Sequence, residues 1–104
     1  MTKYVMLYHR GTAEAKQSGQ IHKQWMDWFE SIGENLLDGG NPFELGKEVN
    51  KSSTKDLKKE QYPAAGYSII NAKDYDEATK IAKGCPVLDD SDEAYVRVFE
   101  CINM

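Results

Sequence analysis

The sequence predicts a single α+β domain with the element order βαββαβ, in which two helices cover one face of a four-stranded antiparallel sheet. Three observations support this fold class. The 104 residues have room for one domain, spanning residues 1–104. Four segments are rich in strand-forming residues, and two others carry apolar residues at helical spacing. Right-handed crossovers place both helices on the same side of the sheet.

The first strand and the first helix lie in the N-terminal third. Residues 3–9 are rich in Tyr, Val, Met and Leu, which predicts a strand. A polar connection over 12–19 leads to a helix over 20–33, with Ser18 as its N-cap and Gly33 as its stop. The apolar stripe of this helix occupies positions i, i+4, i+7, i+8, i+11 and i+15: Ile21, Trp25, Trp28, Phe29, Ile32 and Leu36.

The middle of the chain is predicted to contain a turn, a strand and a loop. Residues 38–42, here called the glycine corner, have the turn sequence Asp-Gly-Gly-Asn-Pro. The second strand is expected after it, at about 45–51. Residues 52–65 are polar and lysine-rich with nearly balanced charge, which is typical of a solvated loop.

The C-terminal part completes the βαββαβ order. The segment 66–72 is the third predicted strand, and 74–83 is the second helix. Asp74 is its predicted N-cap, and Glu77 three residues later completes a capping box. The fourth strand is predicted over 94–102.

The strands are apolar on both faces, which predicts a homodimer. In the first strand, Val5 and Leu7 point to one side, while Tyr4, Met6 and Tyr8 point to the other. Two helices cover only one face, and the chain holds no third layer. A second copy packed sheet against sheet about a two-fold axis would cover the other face.

Charge and composition exclude several classes of protein. The 13 basic and 17 acidic residues give a net charge of -4 with no basic stripe, so no nucleic-acid partner is expected. No apolar run is long enough for a signal segment or a membrane span, so we expect a cytoplasmic protein with no membrane partner. Cys85 and Cys101 are expected to be reduced. Ligand spacing for a metal, a phosphate loop and a dinucleotide fingerprint are all missing, so no metal or cofactor is predicted.

Two stretches of the chain resemble the YCII-related domain family, of the YciI-like or DGPF type. Residues 66–88, GYSIINAKDYDEATKIAKGCPVL, resemble the second half of that domain, where a GY-strand leads to a DEA-containing helix ending in AKGCP. Residues 25–40, W-x-x-W-x-x-x-x-G-x-x-L-x-D-G-G, resemble its first helix and the corner that follows. The stretches have 23 and 16 residues, together 39 of 104. The resemblance implies a ferredoxin-like fold that pairs into a dimeric α/β barrel.

The resemblance also implies an acid/base pair, formed by a histidine on the first helix and an acidic residue near the end of the first strand. His22 matches the histidine and lies 17 residues before Gly39. The acidic residue is not matched, because the first strand ends in His9 and Arg10. Asp38 is the substitute candidate if the glycine corner folds back on the helix. The DGPF tetrad is absent, and the nearest segment, 40–43, reads Gly-Asn-Pro-Phe.

Six further residues are candidates for ligand binding, and each also has a structural explanation. His9, Arg10 and Arg97 could hold an anion, or they could form solvated strand ends. Backbone N–H groups at Gly39 and Gly40 could face an anion, or the glycines could serve a tight turn. Trp25, in the apolar stripe, could stack on a planar ligand or belong to the core.

Two functions therefore remain open. The first is a small homodimeric enzyme of isomerase, lyase or dehydrochlorinase type, in which His22 transfers a proton to or from a small metabolite. The second is a non-catalytic dimeric module that binds a small ligand, anionic or aromatic, or acts as an accessory protein. The missing acidic residue beside His9 favours the second function, and the polar strand ends favour the first.

Overall fold

A computed structural model of the chain describes residues 1–10, 19–61 and 63–103. Within these ranges the strands and helices, in chain order, are β1 (Thr2–His9), α1 (Gly19–Ile32), β2 (Leu36–Asp38), β3 (Lys47–Val49), β4 (Thr54–Asp56), β5 (Gly66–Ala72), α2 (Tyr75–Ala82) and β6 (Tyr95–Glu100). Four of the strands form an antiparallel sheet in the order β2-β5-β1-β6, and β3 and β4 form a separate two-stranded sheet. The α+β class is confirmed, and the strand order is compatible with a ferredoxin-like fold.

The second strand of the main sheet differs from the prediction. A strand lies within the predicted range 45–51, as β3, but it is not part of the main sheet. The place expected for it is taken by β2, which ends at Asp38, where the glycine corner begins, and pairs with β5 through a bulge. Leu36 is partly buried and aligned with Ile70, so it belongs to the sheet rather than to the helical stripe. Residues 47–49 instead pair with 54–56, so part of the predicted loop 52–65 is also a strand.

The other predicted elements are found within a few residues of their expected bounds. The capping box of α2 forms with one change of partner. Asp74 accepts a hydrogen bond from the Glu77 N–H at 2.9 Å, and the Glu77 carboxylate accepts one from the N–H of Lys73 rather than Asp74. The predicted N-cap Ser18, the connection 12–18 and the side chain of Ile21 lie outside the described residues.

One face of the sheet, here called the helix face, carries the core. Tyr4 and Met6 of β1 and Ile70 of β5 are at most 1% exposed. Side chains of both helices pack into the same cluster: Trp28 from α1, and Ala78 and Ala82 from α2. Both helices therefore lie on this face.

The opposite face, here called the open face, is covered by neither helix. Alternate residues of β1, β5 and β6 form it, and the strand register aligns them in rows. Val5 and Ile69 are partly buried, and Phe99 is 47% exposed. Its residues on these three strands are Lys3, Val5, Leu7, His9, Tyr67, Ile69, Asn71, Tyr95, Arg97 and Phe99.

The β3–β4 hairpin projects from this two-layer body. Residues 41–56 are all exposed. The radius of gyration is 14.5 Å, above the roughly 13 Å expected for a compact chain of this length. No helix in the described ranges is long and apolar enough to cross a membrane.

Candidate functional site

The structure separates the predicted site residues into two groups. The first group lies around α1 and the glycine corner and contains His22, Trp25, Asp38, Gly39 and Gly40. The second lies at the paired ends of β1 and β6 and contains His9, Arg10 and Arg97.

The glycine corner is built as a tight turn against β5. Gly40 has φ +74°, and a Cβ at this position would lie 1.8 Å from the carbonyl oxygen of Tyr67. The Asp38 carboxylate accepts a hydrogen bond from the Gly40 N–H at 2.8 Å. This N–H group is therefore already bonded, and the turn explains why glycine is required at position 40.

A buried chain of hydrogen bonds ties this corner to the sheet. The Tyr8 hydroxyl donates to Ser68 Oγ at 2.6 Å, and Ser68 Oγ donates to the carbonyl of Gly39 at 2.7 Å. Burial raises the pKa of Tyr8, so its hydroxyl stays protonated and acts as the donor. Sequence reasoning did not single out Ser68. The available signal was a hydroxyl among apolar residues at a buried position of a strand.

Trp25 belongs mainly to an aromatic cluster at the border of the core. Its ring lies 5.0 Å from Tyr8, 5.7 Å from Trp28 and 5.8 Å from Phe29, measured between centroids. A Cβ on Gly39 would lie 4.0 Å from the Phe29 ring, so the cluster borders the glycine corner. Three ring neighbours support the packing role of the partly buried Trp25.

His22 and Asp38 do not share a hydrogen bond within the described residues. His22 is exposed, and it precedes Phe29 by seven residues, or about 10 Å along the helix axis. Asp38 is also exposed, and the bulge aligns it with Ile69 of the open face, whereas α1 packs on the helix face. The described residues therefore show no hydrogen bond between His22 and its substitute partner Asp38, and the acid/base pair stays a prediction.

The second group contains a stack of side chains on the open face. The His9 and Tyr95 rings lie 4.4 Å apart between centroids with an interplanar angle of 10°, and His9 is only 4% exposed. The Arg97 guanidinium carbon lies 5.2 Å from the centroid of the Tyr95 ring. We call these three residues the stacked cluster. Tyr95 was not predicted, although its position two residues before Arg97 on a strand places both on one face.

Arg10 does not join the stacked cluster. Its Nε atom lies 3.8 Å from Asp90 Oδ2, and its carbonyl accepts a hydrogen bond from Ser91 Oγ at 3.2 Å. Of the three basic candidate residues at this end of the sheet, His9 and Arg97 both lie against Tyr95, and Arg10 is turned toward the loop that precedes β6.

The chemistry of the stacked cluster favours planar anions. The Arg97 guanidinium is permanently charged and exposed, and it can bind both oxygens of a carboxylate. The imidazole and phenol rings provide flat surfaces beside it. Guanidinium and aromatic groups together attract a ligand that combines a negative charge with a planar body.

Comparison with known proteins identifies no relative of this chain. No protein-family model, no curated protein and no solved structure matches the chain. Within the described ranges, no group of three His, Cys, Asp or Glu side chains converges as metal ligands would. Function therefore has to be inferred from the residues themselves.

Proposed function

We propose that the chain is a homodimeric, non-catalytic module that binds a small anionic ligand at the stacked cluster. The observation that carries the proposal is the parallel His9–Tyr95 stack with the Arg97 guanidinium 5.2 Å from the same ring. A YCII-related, dimeric α/β barrel architecture is part of this proposal.

The open face supports a homodimer. Its middle row consists of Val5, Ile69 and Phe99, and both helices pack on the other side of the sheet. An apolar sheet face left in water favours association. A second copy provides a matching apolar face, and a two-fold axis closes the pair without further growth.

The arrangement of polar groups supports binding rather than proton transfer. General acid/base chemistry needs a donor or acceptor within hydrogen-bond reach of the reacting atom. Asp38 already accepts a hydrogen bond from Gly40 within the glycine corner. His22 lies two helical turns before Phe29, and it is the Phe29 ring that borders this corner. Arg97 in the stacked cluster is exposed and keeps its charge at neutral pH.

Nuclear magnetic resonance of the two histidines tests this function. The chain has only His9 and His22, so single variants assign both imidazole signals. We expect small carboxylates to shift the His9 signal and to leave the His22 signal in place. Arg97→Gln should abolish the response, and Lys3→Gln, at the other end of the open face, should preserve it. A response of His22 alone would contradict the proposal.

A second candidate is the acid/base enzyme of isomerase, lyase or dehydrochlorinase type. One observation favours it: His22 is exposed on the same side of α1 as Phe29, whose ring borders Gly39. A small metabolite lying along this side would meet the imidazole at one end. Loss of turnover in His22→Gln, with Lys23→Gln unchanged, would select this function over simple binding.

A further inference from the structure

We infer that the ligand of the stacked cluster is an aromatic monocarboxylate, and that its ring lies on Leu7 between Arg97 and Tyr67. The inference rests on the proposed function and names the ligand class of the same site. It uses residues of one chain only, so it does not depend on how a second copy packs.

The strand register places these three residues in one row of the open face, here called the Leu7 row. Leu7 of β1 is aligned with Tyr67 of β5 on one side and with Arg97 of β6 on the other. Directly opposed residues of neighbouring antiparallel strands have Cα atoms about 5 Å apart, so the Cα atoms of Tyr67 and Arg97 are about 10 Å apart. This span admits a single aromatic ring above Leu7.

The contacts of Tyr67 and Arg97 leave Leu7 partly exposed. The Tyr67 ring stacks on Phe43 with centroids 5.7 Å apart, and Phe43 lies on the side of β5 that faces away from β1. Arg97 contacts Tyr95 on its own strand. Leu7 between them is only partly buried. The row therefore has an apolar floor, with a ring at one end and a guanidinium at the other.

The Tyr67 ring is held in place by its surroundings. Phe43 stacks on it, and a Cβ on Gly40 would lie 3.2 Å from Tyr67 Cδ2. The Phe43 N–H donates to the Ala65 carbonyl at 2.7 Å, which fixes the backbone of Phe43 beside β5. A ring that is ordered before binding loses less conformational freedom when a ligand packs against it.

The charge of the open face selects an anion. The whole chain has a net charge of -4, yet the open-face residues of β1, β5 and β6 include no Asp or Glu. Lys3 and Arg97 give this surface its positive charge. Within the described residues, no carboxylate forms a salt bridge with the exposed Arg97. Its guanidinium is therefore available to bind both oxygens of a ligand carboxylate.

Lys3, at the opposite end of the open face, lacks the aromatic neighbours of Arg97. It is aligned with Asn71, and its carbonyl accepts a hydrogen bond from the Cys101 N–H at 2.8 Å. An ammonium group also lacks the planar pair of donors that matches a carboxylate. The ligand is therefore expected at Arg97 rather than at Lys3.

An aromatic monocarboxylate satisfies each part of the Leu7 row. Its carboxylate accepts hydrogen bonds from Arg97, and the face of its ring packs on Leu7. The far edge of the ring meets the Tyr67 ring, and edge-to-face contacts are among the geometries that aromatic pairs prefer. A carboxylate without a ring keeps only the first of these contacts.

Calorimetric titration with three probes tests the ligand class. Benzoate has both a ring and a charge, acetate has the charge without the ring, and benzamide has the ring without the charge. We expect benzoate to bind at least about tenfold more tightly than either of the other two.

Substitutions at the two ends of the row should have different effects. Arg97→Gln should weaken benzoate and acetate binding alike, by about tenfold or more, because both probes lose the guanidinium. Tyr67→Ala should weaken benzoate binding at least about fivefold and acetate binding less than about twofold. Tyr67→Phe keeps the ring and should bind benzoate as the wild type does. Lys3→Gln is the control on the same face and should change either affinity less than about twofold.

Nuclear Overhauser contacts locate the ring in the wild-type chain without any substitution. The ring protons of benzoate should show contacts with the Leu7 methyl groups and with the Tyr67 ring. Contacts with Trp25 and Phe29 instead would place the ligand at the glycine corner and overturn the inference.

The outcomes separate this inference from the proposed function. Equal affinity for benzoate and acetate, with the His9 signal shifted by both, overturns the aromatic ligand class and leaves the binding module intact. A His9 signal that neither acid shifts overturns both. Equal losses of benzoate binding in Tyr67→Ala and Tyr67→Phe overturn the role of the ring, because they assign the effect to the hydroxyl.

Discussion

Two adjacent isoleucines on β5 illustrate the difference between the faces of the sheet. Ile70 points to the helix face, is 0% exposed and packs in the cluster that contains Tyr4 and Met6. Ile69 points to the open face, is only partly buried and is aligned with Val5. The two side chains are chemically identical. Their burial differs because both helices pack on the face to which Ile70 points.

This comparison shows that apolar composition and apolar burial are separate properties of a sheet. The helix face has the low exposure of a finished core, and its buried Tyr8 and Ser68 hydroxyls are hydrogen-bonded within the chain. The open face has comparable residues with a cationic end, and Phe99 remains 47% exposed. The proposed homodimer would cover this second face.

Replacing each isoleucine by alanine gives the largest expected effect. Ile70→Ala should lower the free energy of unfolding by about 2–5 kcal/mol, because a fully buried side chain leaves a cavity. Ile69→Ala should cost less than about 2 kcal/mol, and this loss should shrink on dilution as the dimer dissociates. Urea unfolding at two protein concentrations measures both. Equal, concentration-independent losses would show that the faces are equivalent.

A charge placed on each side of the molecule tests the comparison through association. Phe99 on the open face and Met26 on α1 are 47% and 52% exposed. Phe99→Lys should raise the dimer dissociation constant about a hundredfold or more, because it places an unpaired charge in the interface. Met26→Lys should leave the constant unchanged. Sedimentation velocity at micromolar concentration measures both, and equal behaviour would remove the open face as the interface.

Elements defined by local signals were predictable from the sequence. Both helices, β1, β5 and β6 have clear periodicity, and α2 also has a capping residue in Asp74. The three-residue β2 was not predictable in this way. Its pairing with β5 is non-local. Leu36 also falls at the helical spacing of the α1 stripe, so its position in the sequence fits a helix as well as a strand. The hairpin was missed because its cross-strand pairs are charged, as in Lys47 with Asp56 and Glu48 with Lys55.

The candidate site was only partly predictable for a related reason. His9 and Arg97 were singled out because they are basic residues near strand ends, but Tyr95, whose ring lies close to both, was not. Residue type suggests a site, whereas register decides which residues meet. Arg10 illustrates the same limit, since it follows His9 directly and yet pairs with Asp90.

Ser68 provides a test of polar bonding on the helix face. Ser68→Ala should lower the free energy of unfolding by about 1–3 kcal/mol, because the buried Tyr8 hydroxyl loses its acceptor and Gly39 loses its donor. Ser31→Ala is the control, since the exposed Ser31 hydroxyl donates only to the carbonyl of Trp28 within α1. It should cost less than about 0.5 kcal/mol by urea unfolding. Similar losses in the two variants would mean that the buried chain of hydrogen bonds adds little.

The two cysteines extend the comparison to alkaline pH, with the smallest expected effect. Burial raises the pKa of the Cys85 thiol from 9.0 to about 12, so the folded state keeps this proton while the unfolded state loses it. The unfolded state then binds fewer protons than the folded state, and stability falls as the pH rises from 9 toward 12. At pH 10 the loss should be about 1 kcal/mol relative to pH 8, measured by urea unfolding with a reductant. Cys85→Ala should flatten this decline, whereas Cys101→Ala, which retains Cys85, should keep it. A decline that survives in Cys85→Ala would assign it to the tyrosines, since burial also raises the pKa of Tyr4 and Tyr8.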